Sequence, residues 1–228
     1  IVGESGSGKT LTVMSIVSLL PEGISAQGEV SFDGENLLDM NERQLCNIRG
    51  KRIGVVFQDP SRALNPTMKI GRQLAEVIRL EEDLPSRGTL REKMLTLLEQ
   101  VSLDGPNIIG RYPHELSGGQ QQRVVIAIAM ACGPDLLIAD EPTTALDVTV
   151  QKSILDLLRT LCSENKMGLI FVSHNLGVVQ SICDRIAVMY QGALVEVGPA
   201  QQILEDPQDD YTRSLIAASP TIPHAKEG

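Results

Sequence analysis

The chain has 228 residues, with 20 Lys and Arg against 29 Asp and Glu, a formal net charge of −9, and 42% hydrophobic residues. That balance suits a globular chain with a sizeable core and excludes a disordered one. The longest apolar stretch, Val124 to Cys132, is well short of the roughly 18 residues a membrane span needs, and the acidic excess argues against a dedicated nucleic-acid binder.

Ile1 and Val2 read as the tail of a strand, and the natural chain is expected to extend upstream of them. Gly3 to Thr10 is a glycine-rich turn, and Leu11 to Leu20 reads as an apolar helix ended by Pro21. Gly28 to Phe32 is a short strand closed by an Asp33-Gly34 turn, and Arg52 to Phe57 is a second strand. From Thr67 to about Val101 the apolar spacing turns helical, with Ile70, Leu74, Val77 and Ile78, then Leu90, Met94, Leu97, Leu98 and Val101. This stretch reads as a helical insertion.

After Ser117-Gly118-Gly119 a helix is expected to about Cys132, then a buried strand at Leu136 to Ala139. An amphipathic helix follows at Val150 to Leu161, and another buried strand at Leu169 to Val172. Ile186 to Tyr190 and Ala193 to Val197 flank Gln191-Gly192 as a hairpin, and Tyr211 with Leu215 suggests a terminal helix packed on the domain. Thr221 to Gly228 reads as a loose tail. Strands alternating with helices imply an α/β fold with a mainly parallel sheet. Cys46, Cys132, Cys162 and Cys183 show no C-x-x-C pair and no zinc spacing. They are expected to be reduced, cytosolic, small buried hydrophobes.

Gly3-Glu4-Ser5-Gly6-Ser7-Gly8-Lys9-Thr10 fits G-x-x-x-x-G-K-[ST]. Its glycines allow successive N–H groups to point into one concavity, and the following helix adds its positive end. Lys9 can reach β- and γ-phosphates, and the Thr10 hydroxyl can ligate Mg²⁺. Leu136 to Ala139 runs into Asp140-Glu141. Asp140 can hold Mg²⁺, and Glu141 is then available to orient and deprotonate water. Leu116-Ser117-Gly118-Gly119-Gln120 is a second glycine turn opening a helix, with Ser117 as its cap.

A phosphate loop, LSGGQ, and an apolar strand ending in Asp-Glu together resemble the ATP-binding cassette (ABC) ATPases, from Gly3 to about Val197. The resemblance implies a P-loop NTPase (RecA-like) core with a mainly parallel sheet, a helical subdomain and a small antiparallel β part. It implies one domain over 1–228, with a core at about 1–62 and 133–205. The helical subdomain bearing LSGGQ would be about 63–132, and a C-terminal extension about 206–228. Gln58 sits at the Q-loop, expected to touch Mg²⁺ or water. Ala145-Leu146-Asp147 matches the D-loop at the dimer interface, and His174 matches the switch histidine at the γ-phosphate. Catalysis would then rest on Glu141, His174 and Lys9. Ser117, Gly118, Gly119 and Gln120 would contact ATP held by a second cassette. His114 and His224 carry no role.

Three stretches resemble the bacterial oligopeptide/dipeptide/nickel importers: Phe57 to Pro66, Thr143 to Gln151, and Asp206-Pro207 with Tyr211-Thr212-Arg213-Ser214-Leu215. That likeness implies an ATPase at the cytoplasmic face of the inner membrane. Its partners would be a second ABC ATPase subunit (self or paralogue), two membrane permeases, and a periplasmic or extracellular substrate-binding protein; no nucleic acid is expected. The family's adenine-stacking aromatic is expected on strands upstream of Ile1, and the residues to Gly228 imply no iron–sulfur site. A non-transport ABC ATPase and a regulatory nucleotide switch stay open as alternatives. Neither a second P-loop nor heptads favour the first, and Glu141 speaks against the second.

Overall fold

A computed structural model of the chain describes residues 1–80, 87–144 and 146–218. Ala145, His224 and the expected tail at 221–228 lie outside the described residues. In chain order the elements are α1 (Lys9–Ile16), β1 (Ser31–Phe32), β2 (Glu35–Asn36), α2 (Glu42–Ile48), β3 (Ile53–Val56), α3 (Pro60–Ala63), α4 (Ile70–Ile78), α5 (Arg87–Gln100) and α6 (Gly105–Ile108). They continue as α7 (Gly118–Met130), β4 (Leu136–Asp140), α8 (Val148–Asn165), β5 (Gly168–Val172), α9 (Leu176–Ile182), β6 (Arg185–Tyr190), β7 (Ala193–Pro199), α10 (Ala200–Glu205) and α11 (Asp210–Ala218). The chain divides into two compact units: Ile1–Met14 with the chain from Phe171 onward, and Ser15–Ile170.

In the first unit Val2 forms parallel bridges to Ser173 and Val188. Its N–H donates to the Ala187 carbonyl at 2.8 Å, and its carbonyl accepts the Met189 N–H at 2.7 Å. The expected strand tail is therefore one bridging residue. Antiparallel β6 and β7 pair as the expected hairpin. Gln191 (φ 48°) and Gly192 (φ 83°) both turn through left-handed backbone, which matches the twist of a tight hairpin. Val2, Ile186, Val188, Val172 and Val179 of this unit are fully buried.

In the second unit β3 runs parallel to β4, with Val56 opposite Ala139. Ile53, Val56, Leu137 and Ile138 are fully buried, as are Val124 and Ile126 of α7 and Ile154 and Leu158 of α8. Each such side chain contributes about 1.5–3 kcal/mol of burial. Ala75 and Ile78 of α4 and Leu90 of α5 form a separate cluster with Met94, Leu97 and Ala131, the helical stretch that the spacing predicts.

Several boundaries differ from expectation. The first helix ends at Ile16, not Leu20. Ser18 turns left-handed (φ 51°), and the Arg49 guanidinium takes the Val17 and Ser18 carbonyls at 2.6 and 2.9 Å instead. β3 stops at Val56, and Phe57 is exposed, because the chain turns there toward the Asp59 cap of α3. Only Phe171 and Val172 of β5 are buried. Cys46 is exposed on α2 rather than a buried hydrophobe. Cys162 and Cys183 are half-buried; burial pushes the Cys162 thiol up to about 11 and raises Cys183 as well.

Candidate functional site

The phosphate loop lies in the first unit. Lys9 is buried, and its Nζ donates to the Gly3 and Glu4 carbonyls at 2.8 Å each. The ammonium is thereby held against the loop's own backbone. A Cβ on Gly3 would sit 2.1 Å from the Met189 carbonyl oxygen, so only glycine lets the loop lie this close to β6. The Gly192 N–H donates to the Ser7 carbonyl at 3.1 Å, which seats the loop on the hairpin turn. Ser7 Oγ is buried with no hydrogen-bond partner in this structure. An orphaned buried hydroxyl costs free energy unless its shell is filled, and this one sits inside the loop whose backbone N–H groups suit phosphate. Glu4, Ser5, Gly6 and Thr10 are exposed along the loop. His174 is also exposed, directly after β5, between Ser173 and the Asn175 cap of α9.

The carboxylates lie in the second unit. Asp140 ends β4 and is 3% exposed. Glu141 follows with φ 45°, a left-handed backbone that a non-glycine residue adopts at a cost and that recurs where side chains are aimed for chemistry. Its Oε2 accepts from Gln58 Nε2 at 3.2 Å and from Thr144 Oγ1 at 2.9 Å. Asp59 next to Gln58 caps α3. The Ser61 hydroxyl at 2.6 Å, then its N–H at 2.9 Å, holds the Asp59 carboxyl below the usual carboxylate range.

Ser117 caps α7 through a reciprocal capping box: its Oγ accepts the Gln120 N–H at 3.3 Å, and Gln120 Oε1 accepts the Ser117 N–H at 3.0 Å. Ser117 and Gly118 are exposed, so the N-terminal end of a 13-residue helix faces outward, a ready site for an anion. Asp147 caps α8 by accepting the Val150 N–H at 2.9 Å. A cleft of about 530 Å³ is lined by Gln58, Asp59, Gly118, Gln122, Thr144 and Leu146 among others. The second unit thus brings Gln58, Gly118, Thr144 and Leu146 along one cleft.

Two contacts were not read from the sequence. Thr144 binds the Glu141 carboxylate, and the Glu-Pro-Thr-Thr turn that brings it there, with Thr144 N–H on the Glu141 carbonyl at 3.2 Å, was a legible signal. Tyr211 Oη accepts the Glu4 N–H at 3.0 Å, and no local pattern announces it.

The chain is similar to known proteins over most of its length. A protein-family model for the ABC transporter matches residues 1–144. The oligopeptide transport ATP-binding protein OppD of Bacillus subtilis (strain 168) is 47% identical over 230 residues, covering 100% of this chain and 64% of that protein. The glutathione import ATP-binding protein GsiA of Escherichia coli (strain K12) is 45% identical, covering 97% of this chain and 37% of its own length. The chain therefore spans less than two thirds of either relative. The ATP-binding cassette MJ0796, solved as a post-hydrolysis dimer bound to ADP and Pi, superposes with a TM-score of 0.77 at 30% identity, covering 87% of this chain and 83% of that one. No helix among the described residues is long and apolar enough to cross a membrane. Motifs, fold and similarity point the same way: the chain has the P-loop NTPase fold of the cassette ATPases and belongs to the ABC transporter family.

Proposed function

We propose that the chain is the ATP-hydrolysing subunit of an importer for peptides. The observation that carries the nucleotide reading is the phosphate loop itself, with Lys9 held on the loop carbonyls beside the orphaned Ser7 hydroxyl. In this reading the N–H groups of Gly6, Ser7, Gly8 and Lys9 and the Lys9 ammonium bind the phosphates. His174 contacts the γ-phosphate. Glu141, oriented by Gln58 and Thr144, takes the proton of the attacking water. Thr10, Gln58 and Asp140 are the groups proposed to hold Mg²⁺, which offsets phosphate charge when bound. Hydrolysis by this route is positioning and charge stabilisation.

Ser117, Gly118, Gly119 and Gln120 are proposed to complete the site of a second cassette, with Asp147 at the interface. ATP then bridges two cassettes and ADP does not, which gives nucleotide-dependent dimerisation its free energy. Residues 63–132 act as the helical subdomain, and 206 onward as the C-terminal extension. The names of the relatives, oligopeptide and glutathione, support peptides as cargo. Two permease subunits, a substrate-binding protein and a peripheral position at the cytoplasmic face of the inner membrane are further parts of this proposal.

Sedimentation of Glu141→Gln protein with ATP–Mg²⁺ and with ADP tests the reading. A dimer with ATP and a monomer with ADP is expected. A monomer in both, even with a paralogous cassette added, would overturn the shared-site mechanism.

A further inference from the structure

The Gly3–Glu4 peptide is held at both ends. Its carbonyl accepts Lys9 Nζ at 2.8 Å, and its N–H donates to Tyr211 Oη at 3.0 Å. A peptide group is planar, so fixing the direction of the N–H fixes the direction of the carbonyl that aims Lys9. Tyr211 is itself held from several sides. Its ring stacks on Tyr190 with centroids 4.1 Å apart and planes at 26°. Its N–H donates to Asp209 Oδ1 at 2.8 Å. The Gln208 and Asp209 N–H groups donate to the two Glu196 carboxylate oxygens at 2.9 and 3.1 Å. Tyr190 leads into the Gln191-Gly192 turn, whose Gly192 N–H meets the Ser7 carbonyl. The phosphate loop is thus gripped near its start by α11 and near its middle by the hairpin. Burial raises the Tyr211 phenol pKa, so the group stays a neutral hydroxyl.

We propose that Tyr211 is a positioning residue for the phosphate loop: its hydroxyl holds the Gly3–Glu4 peptide in the orientation that aims Lys9, and so ties nucleotide affinity to the seating of α11. A loop already in its binding shape pays less ordering cost when phosphate arrives. The inference rests on the nucleotide-binding reading above and adds a residue that touches no phosphate.

The test uses the full chain. Tyr211→Phe keeps the ring on Tyr190 and removes the acceptor. Ser214→Ala, which removes a hydroxyl bonded to the Asp210 carbonyl at 2.9 Å on the same helix, is the structural control. The ATP dissociation constant should rise about three- to tenfold in Tyr211→Phe, the range one hydrogen bond supplies. Hydrogen exchange at the Glu4 amide should quicken, and Tm should match that of Ser214→Ala. An affinity within twofold of wild type, or an equal loss in Ser214→Ala, would overturn the proposal. So would an unprotected Glu4 amide in the wild-type protein, a reading that needs no variant. If wild type itself binds no ATP, the nucleotide reading falls and this inference with it; if wild type binds and Tyr211→Phe binds equally, only the inference falls.

Discussion

Gln58 Nε2 and Glu141 Oε2 lie 3.2 Å apart, so the Q-loop side chain donates directly to the carboxylate proposed as the base. A Q-loop displaced by a partner subunit would release that donor and change the orientation of Glu141. Gln58→Ala should therefore lower ATPase turnover, and transport with it. Parallel assays in proteoliposomes check this, and a variant with both rates untouched would count against Gln58 as the orienter of Glu141.

Glu141→Gln keeps the shape of the side chain and removes the base. ATP binding should persist while turnover drops about 10²-fold or more. Thr144→Val, which deletes the 2.9 Å bond to the same carboxylate, should cost about 2- to 10-fold, in keeping with one hydrogen bond. Single-turnover phosphate release measures both, and full activity in Glu141→Gln would move the base elsewhere, with His174 first in line.

Lys9→Ala removes the only long cation of the phosphate loop. Nucleotide binding should weaken strongly and hydrolysis should vanish. Near-normal turnover in this variant would refute the site.

Gly119 faces Val150 so closely that a Cβ would lie 2.7 Å from Val150 Cγ1. Gly119→Ala should destabilise the protein by about 1–3 kcal/mol through overpacking. Val150→Ala opens the space, so the double variant should lose less than the two single costs together, with a coupling of about 1 kcal/mol. Urea denaturation of the four proteins reads it, and strict additivity would mean α7 and α8 do not meet there.

Glu196 anchors the start of α11. Partial burial pushes its carboxyl up, but the Gln208 and Asp209 N–H donors favour the charged form, and its pKa lies below the ordinary 4.5. A carboxylate with a lowered folded-state pKa contributes stability above its unfolded value and loses it as pH falls through the folded one. Glu196→Gln should thus lower Tm most near neutral pH, with the gap to wild type closing below about pH 4.5. A gap constant across that range would show that the charge plays no part.

The chemistry-bearing stretches were legible because each is contiguous. In Gly3 to Thr10, Leu116 to Gln120 and Leu136 to Glu141, the backbone conformation and the functional groups come from the same few residues. The helical spacing of Ile70, Leu74 and Ile78 was legible for the same reason, since one face of one helix meets the core. Element ends were read less well. α1 stops at Ile16, Ser18 turns left-handed just beyond it, and Arg49, far along the chain, caps the Val17 and Ser18 carbonyls left at that end.

By itself, then, the sequence determined the fold class, the phosphate loop and the identity of the acidic pair, because local backbone geometry and short-range pattern suffice for each. Only the tertiary structure decided that Gln58 reaches Glu141 across 83 positions of chain, that the Ser7 hydroxyl is left without a partner, and that Tyr211 reaches Glu4 across 207. Those facts depend on which distant segments pack together, and a hydrogen bond between residues far apart in the chain leaves no periodicity or spacing in the sequence to read.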